Sequence, residues 1–156
     1  MGVRISGWVL AVFVWIGVIF FSSTSWAGEW CEEAYSYLSA HFFGDSGEQI
    51  YARVTHLLAE KGVHVTLFAT LAILLWGALG DRRRKVLRII GIGLIVGSMS
   101  EFLQRFFPNR DPAIRDVAIN VCGATLGALL CMLFSRRRDA SRTGAQKPEV
   151  LVNSGT

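Results

Sequence analysis

Four stretches of the chain are almost free of polar side chains, at residues 5–21, 63–79, 86–103 and 117–134. A helix of that length is just long enough to cross about 30 Å of hydrocarbon. The pattern between the first two runs is different. Over residues 26–42, Trp26, Trp30, Ala34, Tyr37, Leu38 and Phe42 recur at helical spacing, with Glu29, Glu32 and Glu33 mostly opposite. Gly44, Asp45, Ser46 and Gly47 mark a turn, and Ile50, Val54, Leu57 and Leu58 begin a second amphipathic stretch. Trp and Tyr favour the membrane–water boundary, so this region predicts two helices near the interface. A small loop packed on the bundle is the alternative. After residue 135 the chain mixes Ser, Thr, Gly, Gln and Asn without periodicity, which predicts disorder.

The expected architecture is an all-α integral membrane protein, a four-transmembrane-helix bundle with interfacial amphipathic helices in the first outer loop. Its transmembrane domain would cover residues 1–135 and a disordered cytoplasmic tail residues 136–156. Pro108 and Pro112 interrupt the last helical hairpin and predict one helix arriving, a short turn and another leaving. That hairpin, residues 100–127, carries Glu101, Gln104, Arg105, Arg110, Asp111, Arg115, Asp116 and Asn120 between two apolar runs. Polar groups inside or at the rim of a bilayer are costly unless they face protein, water or a ligand.

Composition agrees with a membrane setting: of 156 residues, 52% are hydrophobic and 18% charged. The net charge of +4 is unevenly placed. Arg82, Arg83, Arg84, Lys85 and Arg88 flank the second and third runs, and Arg136, Arg137 and Arg138 follow the fourth. Across the predicted membrane, residues 26–61 hold six acids against Arg53 and Lys61. The positive-inside rule then places both termini in the cytoplasm. The basic loop reads as an orientation signal that binds anionic lipid, not as a nucleic-acid site. A cleavable signal peptide is the rival for the first run, with Ser25-Trp26-Ala27 resembling a cleavage site. The run exceeds the roughly 7–15 apolar residues usual for that role, so a retained span is expected. Cys122 and Cys131 lie about 13 Å apart along one helix, too far to bridge. Cys31 is alone in its segment, and redox compartment is undecided.

With four spans, every distinctive polar group falls at one end of the bundle. Ser22 and Ser23 close the first span, Lys61 and His64 open the second, Glu101 and Gln104 close the third, and Asp116 and Asn120 open the fourth. Helical phase joins them to small residues. Gly93, Gly97, Ser100/Glu101 and Gln104 share one face, as do Asp116, Asn120, Gly123, Gly127 and Cys131. Small residues at this spacing let membrane helices approach closely, so the polar groups extend packing faces.

Ser22-Ser23, Lys61-x-x-His64, Glu101-x-x-Gln104, Arg110, Asp116-x-x-x-Asn120 and Gly123-x-x-x-Gly127, in this order and at these places, resemble the VanZ-like family. The resemblance covers about residues 8–134. It implies a small protein of the bacterial cytoplasmic membrane. The family's founding member is associated with low-level teicoplanin resistance, without help from the altered-precursor enzymes. No catalytic residue follows from the resemblance.

The chemistry leaves three classes open. The ligand-binding candidates are Ser22, Ser23, Lys61, His64, Glu101, Gln104, Arg110, Asp116 and Asn120. Lys61 and Arg110 suit a phosphate or carboxylate, so the partner expected of a binding module is a membrane lipid or a lipid-linked, amphipathic envelope molecule. An enzyme would use His64 and Glu101 as an acid–base pair on a lipid-linked anion. A scaffold would neutralise Lys61, Glu101, Arg110 and Asp116 against one another, staple the helix ends and assemble with itself or with envelope proteins. His41, His56 and His64 fit no metal-ligand spacing, and no glycine loop suits a phosphate cofactor, so neither metal nor cofactor is expected. A transporter is disfavoured, because the polar groups gather at one end and not at the midplane.

Overall fold

A computed structural model of the protein describes residues 7–43, 49–80, 84–108 and 112–145. The described chain is almost entirely helical: α1 (Gly7–Ser22), α2 (Ser25–Phe43), α3 (Gln49–Ala78), α4 (Lys85–Gln104) and α5 (Ile114–Ala145). Three of these contain apolar segments long enough to cross a membrane, at Glu60–Ala78, Lys85–Gln104 and Ile114–Ser141. The fourth expected span, α1, is apolar but only 16 residues long. Its helix is about 24 Å, short of the roughly 30 Å hydrocarbon thickness.

The helix ends follow from local chemistry. At the end of α1 the hydroxyls of Ser22 and Ser23 both donate to the Ile19 carbonyl, and Thr24 donates to that of Phe21. Such back-bonds compete with the helical ladder, and the chain turns here. Thr24 then caps α2, its Oγ1 accepting from the Ala27 N–H at 3.5 Å. Helix α4 tapers through tighter turns, in which Arg105, Phe106 and Phe107 donate to carbonyls three residues back, before Pro108. Helix α5 begins two residues after Pro112 and carries Asp116 in its first turn, where a negative charge suits the helix dipole.

Two expectations are corrected. The second amphipathic stretch is not a separate interfacial helix; it runs straight into the second span as α3, about 45 Å long. Ala59, Glu60 and Lys61 are strong helix formers, and the lone Gly62 costs only about 1 kcal/mol, too little to break the run. The intervening turn at 44–48 lies outside the described residues. The expected tail is helical as far as Ala145. Arg136, Arg137, Arg138 and Ala140 favour helix, and no proline intervenes before Pro148.

α5 packs most extensively on α3 and then on α4, while α1 lies along α3. Phe68, Leu71 and Ala72 of α3, Ile89 of α4, and Ala124 and Ala128 of α5 form the buried centre. The α3–α5 approach depends on glycine. A Cβ on Gly127 would stand 2.5 Å from the Ala69 carbonyl, and one on Gly123 would stand 2.6 Å from that of Val65. α1 runs antiparallel to α3 through its full apolar length. Trp8 lies against Gly77 near one end of α3, and the indole of Trp15 donates to the Leu67 carbonyl at 2.9 Å in the middle. Ser23 reaches the opposite end. Around this centre the exterior is apolar, with Phe13 and Val14 on α1, Ile95 and Phe102 on α4, and Leu133 and Phe134 on α5 all exposed. Helix α2 leaves the bundle with Trp26, Trp30 and Tyr37 exposed, in keeping with an interfacial position.

Candidate functional site

The polar residues gather where α1 ends, α4 ends and α5 begins, beside the Lys61–His64 turn of α3. Three contacts lock the helices there. The Ser23 and Ser100 hydroxyls lie 2.7 Å apart and join α1 to α4. His64 Nδ1 lies 3.0 Å from Asn120 Oδ1 and joins α3 to α5. A carboxamide oxygen only accepts, so the imidazole carries its proton on Nδ1. Lys61 Nζ lies 2.9 Å from Asp116 Oδ1, an ion contact off the hydrogen-bond direction, and donates to Glu60 Oε1 at 3.1 Å.

Glu101 holds the remaining junction. Its Oε2 accepts from the Ala113 N–H at 3.2 Å. Ala113 directly precedes α5, so a carboxylate from a neighbouring helix satisfies a donor at that helix's exposed start. Asp116, His64 and Lys61 also act on Glu101 electrostatically. Ser25 ties α2 to the same turn by donating to the Pro108 carbonyl at 2.7 Å.

These groups are deeply enclosed. Asn120 is 0% exposed, Ser23 and Ser100 2%, Glu101 5%, and Gln104 and Asp116 6%. Glycine makes the enclosure possible, because a Cβ on Gly97 would stand 3.2 Å from Asn120 Cβ. Among the described residues three buried side-chain polar atoms are left without a hydrogen-bond partner, Glu101 Oε1, Asn120 Nδ2 and Asp116 Oδ1, the last in ion contact with Lys61. Toward the surface lie Lys61 with its partner Glu60, whose side chain is 38% exposed, and two arginines. The Lys61 side chain is 22% exposed and that of Arg115 76%, with Arg115 Nε 3.9 Å from Asp116 Oδ1. Arg105 is exposed and lies over the Phe102 ring at 5.9 Å.

Of the nine candidates, Ser23, Lys61, His64, Glu101, Asp116 and Asn120 meet here through these contacts. Gln104 is buried on the same face of α4. Ser22 donates to the Ile19 carbonyl of its own helix. Arg110 lies outside the described residues. His64 bonds Asn120 and not Glu101, so the two are not a directly hydrogen-bonded acid–base pair. Among the histidines expected to bind no metal, His41 stacks on Tyr37. Ser100 was not among the candidates, although its place on the Gly93–Gly97 face beside Glu101 marked it. The Ala113 N–H carries no side-chain signal at all.

Apolar helices with an apolar exterior, closed at one end by a buried polar network, define a multi-pass helical membrane protein. The chain belongs to the VanZ/LLP1 family, whose sequence profile matches residues 8–135. No curated protein and no solved structure matches the chain.

The two adjacent serines give a test of the network. Ser23→Ala strands the buried Ser100 hydroxyl and should cost about 1–3 kcal/mol of stability. Ser22→Ala leaves the Ser23–Ser100 contact in place and should cost less than Ser23→Ala, about 1 kcal/mol or under. Thermal unfolding in detergent separates the two, and equal losses would contradict the Ser23–Ser100 junction.

Proposed function

We propose that the protein is a four-span protein of the bacterial cytoplasmic membrane that receives the anionic headgroup of an amphipathic or lipid-linked envelope molecule at the outer end of its bundle. α1 is the fourth span in this reading, because it parallels the apolar length of α3 from Gly77 to the polar end. Arg84, Arg88, Arg136, Arg137 and Arg138 lie at the opposite end, so the positive-inside rule places both termini in the cytoplasm and the polar end outside. A part in envelope or glycopeptide resistance belongs to the same proposal, since a protein that holds an envelope amphiphile changes what such an antibiotic meets.

The observation that carries the reading is the layering of charge. Arg105 and Arg115 are exposed at the ends of α4 and α5, and Lys61 lies between Glu60 and Asp116, above a buried floor of neutral and acidic groups. Joining the helices needs the floor but not the exposed arginines, which also stand against the usual outer-side charge bias. An anionic headgroup complements them.

Orientation is tested by cysteine labelling in a background without the native cysteines. A cysteine at Ser46 should react with an impermeant thiol reagent in intact cells and one at Arg84 should not; the reverse pattern would overturn the outward placement. Ligand class is tested in vesicles of equal phosphatidylglycerol and phosphatidylcholine, with lipids retained by the purified protein measured by native mass spectrometry. The natural sequence should favour phosphatidylglycerol, and Arg105→Ala with Arg115→Ala should bring the two lipids toward parity without loss of thermal stability. A preference untouched by losing both arginines, or absent from the start, would favour a purely structural network.

A further inference from the structure

The end of α5 away from the polar cluster carries a run of three arginines. Past the last apolar turn the helix continues to Ala145, with Arg136, Arg137 and Arg138 exposed. Helical phase sorts these residues. At about 3.6 residues per turn, Phe134, Arg137, Arg138 and Ser141 share one face, and Arg136 and Asp139 fall on the other side. The four on the first face line a shallow, open groove of about 440 Å³. Among the described residues no carboxylate pairs with Arg137 or Arg138 there.

Along that face the chemistry changes in the order of a membrane surface. Phe134, 63% exposed, ends the apolar run. Arg137 and Arg138 follow about 4.5 and 6 Å further along the axis, and Ser141 about 10 Å. The headgroup layer beyond the hydrocarbon is about 5–7 Å deep, so Phe134 at its inner edge puts both guanidiniums at phosphate depth. Guanidinium groups suit phosphate oxygens, and a serine hydroxyl beyond them can donate to the same headgroup. A free phosphate or an acidic protein would use the arginines and gain nothing from Phe134. A zwitterionic lipid brings a cation that the arginines repel.

We propose that this groove is the seat of one anionic phospholipid, its acyl chain along Phe134 and its phosphate between Arg137 and Arg138. The site is separate from the polar end, since Arg115 and Arg137 lie about 33 Å apart along α5, beyond screening distance. It depends neither on the headgroup reading there nor on which leaflet the arginines face.

The intact protein is reconstituted in vesicles of equal phosphatidylglycerol and phosphatidylcholine, and the lipids it retains on purification are counted by native mass spectrometry. Arg137→Gln with Arg138→Gln should retain one phosphatidylglycerol fewer than the natural sequence. Arg137→Gln alone should lower the occupancy of that position about fivefold, the loss expected for one cation at an anionic surface. Arg136→Gln removes the same charge from the other side of the helix and should leave the count unchanged. These positions are exposed, so none of the changes disturbs the packed bundle. An equal fall for Arg136→Gln and Arg137→Gln would overturn the groove in favour of diffuse attraction to the surface. A count unmoved by the paired change would overturn lipid binding at this end. Arg105→Ala with Arg115→Ala reads the polar end in the same assay, so a fall confined to one pair overturns only the reading of the other end.

Discussion

Asn120 has no exposed surface, and a carboxamide enclosed among membrane helices is costly unless it finds hydrogen-bond partners; here its oxygen finds one. Much of the bundle follows from that constraint. Its oxygen requires His64, which fixes the rotation of α3 against α5. Its Cβ packs closely against Gly97 of α4, where an added Cβ would stand 3.2 Å away. One turn away on α5, Asp116 draws in Lys61, and one turn away on α4, Glu101 receives the start of α5. Three helices are thereby held in a single relative register before any apolar contact is counted.

The apolar remainder is consistent with that register but does not specify it. Inside a bilayer, lipid tails are as apolar as leucine, so burying Phe68 or Leu71 does little to choose one helix rotation over another. Close packing at Gly123 and Gly127 permits the α3–α5 contact, and the polar end selects it. α1 is added by two contacts of its own, the Trp15 indole in the middle of the helix and the Ser23 hydroxyl at the polar end. The same end carries exposed cations and the buried polar atoms without a hydrogen-bond partner, so the headgroup we propose would meet the part of the molecule that fixes the fold.

Much of this was legible in the sequence because membrane helices reduce the problem to length and phase. The apolar runs gave α4 and the apolar parts of α3 and α5, and a four-residue spacing of Gly93, Gly97 and Glu101 placed the carboxylate inward, where it is found. Boundaries were less legible. Nothing between Ala59 and Gly62 breaks a helix strongly enough to separate an interfacial stretch from a span, so α3 is continuous. Arg136, Arg137 and Arg138 within α5 read as the end of a membrane segment, but ending a membrane segment does not end a helix. Adjacent Ser22 and Ser23 could not be told apart without knowing how α1 is rotated. The use of the Ala113 amide was invisible, because a backbone donor depends on where the chain turns and not on which residue it is.

The central claim is that the ends of separate helices close on one another through buried polar contacts, and the junction of α1 with α4 tests it most directly. Cysteines replacing Ser23 and Ser100, in a chain otherwise free of cysteine, should form a disulfide in native membranes under mild oxidation, because the two hydroxyl oxygens lie 2.7 Å apart. Cysteines replacing Ser22 and Ser100 should not, since the Ser22 hydroxyl bonds to its own helix at the Ile19 carbonyl. Cross-linking through position 22 in place of position 23, or through neither, would contradict the account.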